Sequence, residues 1–174
     1  MRAPTSYVGP RRKLPKPKHV SQSIEKTTSV DASDVRKVLA SKGSAIISVK
    51  AEDSVQFAVE LLHEKRIGAV LVLDKAGALE GILSERDIVR KLAGLREDLE
   101  QVPVSRLMTT HVVTCAPGDP LSEVLKVMTE SRFRHLPVIE SDRLVGIITI
   151  GDVVKQRLQD LESEALSIKQ VIVG

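Results

Sequence analysis

The chain has 174 residues, 42% apolar and 28% charged, with a formal net charge of +3. That suits a soluble globular protein of one domain, or two small ones sharing a core, and is too apolar for global disorder. A single cysteine, Cys115, excludes an intramolecular disulfide framework and a multi-cysteine zinc site; four scattered histidines lack metal-ligand spacing, and no apolar run approaches the ~18 residues of a membrane span.

Residues 1–24 contain no acid, six basic residues (Arg2, Arg11, Arg12, Lys13, Lys16, Lys18) and half of the eight prolines. Such a segment cannot bury enough surface to offset its ordering entropy, so residues 1–30 are expected to form a disordered basic arm. The remainder is net −3, and the arm alone reverses the sign. A short helix is expected next, capped by Ser33 or Asp31, with Val35, Val38 and Leu39 as its apolar stripe and Gly43 as its stop.

From here the chain repeats itself at a spacing of 65–69 residues, too long for a solenoid unit. Ile47-Ser48-Val49 corresponds to Val113-Thr114-Cys115, Asp53 to Asp119, and Val70-Leu71-Val72-Leu73 to Leu136-Pro137-Val138-Ile139. After a one-residue slip, Leu79-Glu80-Gly81-Ile82-Leu83-Ser84 corresponds to Leu144-Val145-Gly146-Ile147-Ile148-Thr149. The entering segment repeats too, Val35-x-Lys37-Val38-Leu39 against Val104-x-Arg106-Leu107-Met108. Apolar period makes each copy β-α-β-β-α. The elements are a short strand (45–49; 112–115), a helix with Asp53 or Asp119 as N-cap and Pro120 at the first helical position, two strands joined by a turn (69–73 and 79–83; 136–139 and 144–148), and a helix starting at Ser84 or Thr149. Residues 31–100 form the first repeat with its entering helix, and 101–174 the second. Pairing the copies would bury faces that one small unit leaves exposed.

The last helix carries Val154, Leu158, Leu161, Ala165, Ile168 and Ile172 at alternating spacings of four and three, a heptad seam with no Gly or Pro until Gly174. It predicts a long helix, packed either on its own chain or on a second copy in a homodimer.

Each strand-to-helix turn carries a hydroxyl and a carboxylate three apart: Ser84-Glu85-Arg86-Asp87 and Thr149-Ile150-Gly151-Asp152. One reading is a capping box, which needs no ligand. The other is a nucleotide site, because such a turn directs free N–H groups and a helix dipole at a phosphate, and a carboxylate can accept hydrogen bonds from a ribose diol. Arg132, Arg134 and His135 lie within four positions and suit an anion. Cys115 falls on an apolar strand position and reads as inert core, and His63-Glu64 reads as surface.

Paired β-α-β-β-α units, each with a block running from Leu79 to Asp87 or from Leu144 to Asp152, resemble tandem CBS domains, the Bateman module. The segment Arg132-Phe133-Arg134-His135-Leu136-Pro137-Val138 is also similar to second copies of that family. The resemblance covers roughly residues 32–172 and is close to stand-alone bacterial CBS-pair proteins, with relatives in plant organelles. It implies an α+β fold, two CBS repeats packed as a pseudo-twofold pair, with two clefts for adenosine-containing ligands such as AMP, ATP, NAD(H) or S-adenosylmethionine. It further implies ribose contacts from Asp87 and Asp152, ribose or phosphate contacts from Ser84 and Thr149, phosphate contacts from Arg134 and His135 with Arg132 nearby, and an adenine pocket lined by Ser48, Thr114 and Pro137. Gly68-Ala69 stands where Arg134-His135 would be in the first copy, so Arg86 is the candidate cation there and the clefts should differ.

No P-loop or nucleophile–base set is present, because the glycine-flanked run 146–151 has no following lysine. A regulatory ligand-sensing module, with no catalytic cofactor, no metal and no membrane, is therefore expected to outrank an enzyme. It would be cytoplasmic and would signal to an unidentified regulated protein. Two alternatives attach to the arm: nucleic-acid association by phosphate neutralisation, and an organellar transit peptide, against which the prolines speak.

Overall fold

A computed structural model describes residues 12–13 and 33–173 except 44 and 95, with side chains described between 33 and 168. The elements in chain order are β1 (Arg12–Lys13), α1 (Val35–Lys42), β2 (Ser48–Val49), α2 (Val55–Lys65), β3 (Ala69–Leu73), β4 (Leu79–Ser84), α3 (Glu85–Leu92), a 3-10 turn (Val104–Arg106), β5 (Val113–Thr114), α4 (Leu121–Glu130), β6 (His135–Glu140), β7 (Arg143–Thr149) and α5 (Ile150–Val173). This is two β-α-β-β-α units with a long last helix, as the repeat implied.

In each hairpin the first strand runs apolar because both its faces are covered, β3 along most of its length and β6 at Leu136–Val138, whereas β4 and β7 alternate buried residues with half-buried or exposed ones. β3 lies between parallel β2 and antiparallel β4. β6 pairs antiparallel with β7, and a Cys115–Val138 bridge brings the segment after β5 alongside β6. The hairpin registers shift at matching places, Val72/Leu73 and Val138/Ile139. The one-residue slip has its cause in the turns. Asp74 to Ala78 closes the first, with Gly77 at φ 82°, whereas only Ser141 and Asp142, both left-handed, join Glu140 to Arg143 in the second.

Several caps sit one residue from their expected place. Asp34 caps α1, accepting from Lys37 N–H, and Gly43 stops it at φ 86°. Ser54 and Pro120 are the N-caps of α2 and α4, so Pro120 stands just before the first helical position. Asp53 and Asp119 instead tighten the preceding turns, accepting from Lys50 N–H (2.7 Å) and Ala116 N–H (2.8 Å). Ser54 Oγ takes over the cap of α2, accepting from Phe57 N–H (3.1 Å), whereas Pro120 gives α4 no side-chain cap; in both places the aspartate takes the turn. β2 and β5 are two residues each, shorter than the apolar runs that announce them.

The hydrophobic core has three parts. One belongs to the first repeat, built on Val55, Ala58, Val70 and Leu83, but completed by Val102, Val104 and Leu107 from the linker into the second. Another belongs to the second repeat, built on Leu121, Val124, Leu136 and Ile148, but completed by Val35 and Val38 of α1. Each repeat is thus closed by the segment that enters the other. The third lies between the hairpins, where Leu71 and Leu79 meet Val112 and Leu144. Two glycines permit the crossing. A Cβ on Gly146 would stand 2.8 Å from Leu39 Cδ2, and one on Gly81 would stand 2.9 Å from Met108 Sδ and 3.0 Å from the Thr109 carbonyl oxygen. Leu39 and Met108 are equivalent positions of the two entering segments.

α5 is 24 residues long, about 36 Å. Its Val153 and Gln156 are buried against the chain. The heptad seam points elsewhere, with Val154, Leu158, Leu161 and Ile168 exposed at 42, 56, 47 and 54%. Among the described residues nothing of its own chain covers the seam; Ile172 lies beyond the described side chains. Of residues 1–30, read as a disordered arm, only the backbone of Arg12–Lys13 is described. It runs parallel to β5 as β1, with Arg12 opposite Val113 and Lys13 opposite Thr114; the rest of that segment lies outside the described residues.

Candidate functional site

Each β-hairpin ends at a strand-to-helix turn, and both turns are built alike. Glu85 N–H donates to the Gly68 carbonyl (3.1 Å) and Ile150 N–H to the Arg134 carbonyl (2.9 Å), fixing the starts of α3 and α5 against the residues that lead into β3 and β6. Both turns close as capping boxes. Ser84 N–H donates to Asp87 Oδ2 (3.1 Å) and Asp87 N–H to Ser84 Oγ (3.2 Å). Thr149 N–H donates to Asp152 Oδ2 (2.8 Å) and Asp152 N–H to Thr149 Oγ1 (3.1 Å). The capping reading is thus realised in both copies. It uses one carboxylate oxygen each, so the second oxygen decides whether a ligand is also possible.

A cleft of about 670 Å³ opens beside Asp87, within the roughly 300–1,000 Å³ usual for small-molecule sites. The first repeat contributes Gly68, Ser84, Arg86, Asp87 and Arg90, the linker Thr109 and His111 to Val113, and the second repeat Arg132, Arg134, His135 and the turn Thr149 to Gly151. Four arginines face two carboxylates, Glu85 and Asp87, leaving an excess of positive charge. Arg86 Nη1 donates to the Arg132 carbonyl (3.2 Å), holding its guanidinium across the gap between repeats. Arg132 is left-handed at φ 57°, as is its counterpart Arg66 at φ 52°, each just beyond the helix before the hairpin. His135 stands against Gly68, where a Cβ would lie 3.2 Å from its ring. Burial holds the imidazole below its ordinary pKa, reinforced by the charges of Lys42 and Arg134 and opposed by Asp152 and Asp87, so it is neutral at pH 7.

Seven of the expected residues therefore share one cleft: Ser84, Arg86, Asp87, Arg132, Arg134, His135 and Thr149. The basic residues of the second repeat meet the carboxylate of the first, so the help expected only from Arg86 comes also from across the pair. Four others stand apart from it. Ser48 is exposed in β2, Thr114 is buried in β5, and Pro137 is buried in β6 with its carbonyl accepting from Cys115 N–H (3.1 Å). Asp152 is engaged by Lys42, whose Nζ lies 2.6 Å from Oδ2. Burial raises the Asp152 pKa, but the Lys42 and Thr149 hydrogen bonds outweigh it and the net shift is downward. Arg90, one helical turn beyond Arg86, Thr109 and His111 to Val113 were not anticipated. Arg90 follows from helical spacing, whereas the linker carries no chemical signature. Cys115 is buried, and burial pushes its thiol up to about 12, consistent with inert core.

The CBS domain family matches twice, over residues 32–94 and 104–158. The chain belongs to the CBS-domain family. It is 43% identical to the CBS-domain containing protein ATU1752 from Agrobacterium tumefaciens, covering 71% of this chain and 92% of that one at a TM-score of 0.69. It is 30% identical over 153 residues to the CBS domain-containing protein CBSX3, mitochondrial, of Arabidopsis thaliana, covering 83% of this chain and 74% of the relative. The CBS domain pair of MJ0100, described in complex with 5'-methylthioadenosine and S-adenosyl-L-methionine, is 25% identical over 71% of this chain and 94% of that one, at a TM-score of 0.62. The chain spans only 41% of a 33.4 kDa Thermofilum pendens relative to which it is 36% identical over 126 residues. A CBS pair is a regulatory, ligand-binding module, and these matches point to no catalytic family. Among the described residues no helix is long and apolar enough to cross a membrane.

Proposed function

We propose that this CBS pair senses an anionic adenine nucleotide (AMP, ATP or NAD(H)) in the Asp87 cleft and passes its occupancy to a regulated protein. The observation that carries the reading is the meeting of Asp87 with Arg86, Arg90, Arg132 and Arg134 in one cleft. Asp87 Oδ2 is used by the cap, while Oδ1 has no partner among the described residues and is available to a ribose diol. The arginines suit phosphate oxygens, which they can engage bidentately. The same excess of positive charge disfavours the sulfonium of S-adenosylmethionine. A nucleotide held by α3 on one side and by Arg132 to His135 on the other stabilises one orientation of the repeats, and a partner that distinguishes orientations reads the ligand by population shift.

The exposed seam of α5 supports a homodimer, since a strict heptad stripe left bare by the described residues of its own chain matches a second copy of itself. The mitochondrial name of one relative keeps an organellar location beside the cytoplasmic one.

Calorimetric titration with AMP, ATP, NAD, NADH and S-adenosylmethionine tests the ligand class. The phosphate-bearing ligands should bind, more weakly as salt is raised. Absence of binding by all of them at millimolar concentration, or tightest binding by S-adenosylmethionine, would overturn the reading.

A further inference from the structure

The two helices that precede the hairpins end differently, and the difference moves one apolar side chain. α2 ends in a complete left-handed closure. Arg66 stands at φ 52°, its N–H donates to the His63 carbonyl (3.2 Å), and the next N–H, of Ile67, donates to the Leu62 carbonyl (3.1 Å). That pattern folds the residue after the left-handed one back onto the last turn of its helix, and Ile67 packs on the core of the first repeat, of which Leu62 is a member. α4 ends in the same left-handed step, with Arg132 at φ 57° and its N–H donating to the Thr129 carbonyl (3.4 Å). Among the described residues Phe133, the counterpart of Ile67, makes no such bond to the Met128 carbonyl and is not packed on the core of the second repeat.

Phe133 stands instead in the wall of the Asp87 cleft, 37% exposed. The peptide groups beside it are held: Arg86 Nη1 donates to the Arg132 carbonyl (3.2 Å) and Ile150 N–H to the Arg134 carbonyl (2.9 Å). Arg86 adjoins Asp87 in the chain and Arg132 adjoins Phe133, so the first of these bonds ties the carboxylate of one repeat and the phenyl ring of the other to the same cleft. The rest of the apolar lining is aliphatic, Ile82, Val112 and Ile150 among it, and the chain's other phenylalanine, Phe57 on α2, is not part of that lining. A large apolar ring left open in a cleft gains free energy when it is covered. Because its backbone is already fixed, covering it with a flat partner costs little further ordering.

We infer that Phe133 is the base platform of the cleft: the purine of a nucleotide whose ribose meets Asp87 stacks its face on the Phe133 ring. The inference rests on the ligand reading above. Every nucleobase offers such a face, so the stack adds affinity without itself choosing adenine. It also divides the nucleotide between the repeats, with the ribose on the first and the base on the second, so that one ligand holds both.

The chain has no tryptophan, so Phe133→Trp places a single indole at the proposed platform. That variant should keep wild-type ATP affinity in calorimetry. Its emission should fall saturably with ATP at the calorimetric dissociation constant, and inorganic triphosphate, which has no base, should quench it clearly less. Phe133→Ala should bind ATP about 5- to 150-fold more weakly, the loss of one stacked base. If the alanine variant does not fold, the tryptophan emission decides alone. Unchanged ATP affinity in Phe133→Ala, or equal quenching of Phe133→Trp by ATP and inorganic triphosphate, would overturn the inference while leaving the cleft intact. Wild-type ATP affinity in Asp87→Ala would instead overturn the cleft reading on which it rests.

Discussion

Substitution of Asp87 separates the two roles that its turn permits. In Asp87→Ala the Ser84 N–H loses its acceptor at 3.1 Å, while the Ser84 cap on the residue 87 N–H at 3.2 Å survives. The turn is half-buried rather than sealed, so the cost should be about 1 kcal/mol, a fall in melting temperature of about 2–4 °C for a chain of this size. Ser84→Ala removes the other half of the box and should cost about the same. Binding divides the two variants. Loss of the Asp87 carboxylate removes at least one charge-assisted hydrogen bond from the ribose, about 1.5–3 kcal/mol, or roughly 10- to 100-fold in dissociation constant. Ser84→Ala keeps that carboxylate and should lose clearly less. Urea unfolding gives the stability of each variant, and calorimetric titration with ATP gives its affinity. Equal losses of stability with unchanged affinity in both variants would show that the turn is a helix cap and nothing more.

Three further outcomes follow from the same geometry. Gly81→Ala should destabilise more than Gly146→Ala, because its Cβ would meet the Thr109 backbone as well as Met108, whereas the other meets the end of a leucine; overpacking of about 1–3 kcal/mol would appear in urea titrations, and the reverse order would contradict the crossing of the entering segments. His135 is held below 6.5 in the free protein, so the stability owed to its neutral form is present above pH 6.5 and lost as pH falls through the lower folded value. A phosphate beside it raises that value, so from pH 6.5 downward the wild type should gain ATP affinity relative to His135→Gln, and parallel pH profiles would exclude contact with the phosphates. On α5, Leu158→Glu together with Leu161→Glu should convert a dimer to a monomer in sedimentation equilibrium while leaving helix content unchanged, because both side chains are already about half exposed; an unchanged assembly state would remove the seam from the interface.

How far the sequence foretold this structure depends on how local each determinant is. The hairpins were legible because Ala69–Leu73 and His135–Glu140, buried on both faces over most or part of their length, leave continuous apolar runs, while Leu79–Ser84 and Arg143–Thr149 keep the period-two burial of a strand. The turns at Ser84 and Thr149 were legible because hydroxyl and carboxylate recur three apart in both copies. The caps at Ser54 and Pro120 were misplaced by one, since neighbouring Asp53 and Asp119 satisfy the turn instead. The exchange of Val35 and Val38 for Val104 and Leu107 between cores leaves no local trace, as either placement buries the same residues. For the same reason the meeting of Arg132 to His135 with Asp87 of the other repeat was not foreseen, and Lys42, 110 residues from Asp152, was not anticipated at all. Chemistry was readable from residue type; which repeat supplies each group depends on packing.

The most direct test is to map bound ATP onto the chain by NMR, following assigned backbone amides through a titration. The account predicts that shifts concentrate at Gly68, Ser84 to Asp87, Thr109 to Val113 and Arg132 to Leu136, the two repeats and the linker responding at one common dissociation constant. Saturable shifts confined to other surfaces, or no shifts at millimolar ATP, would contradict it.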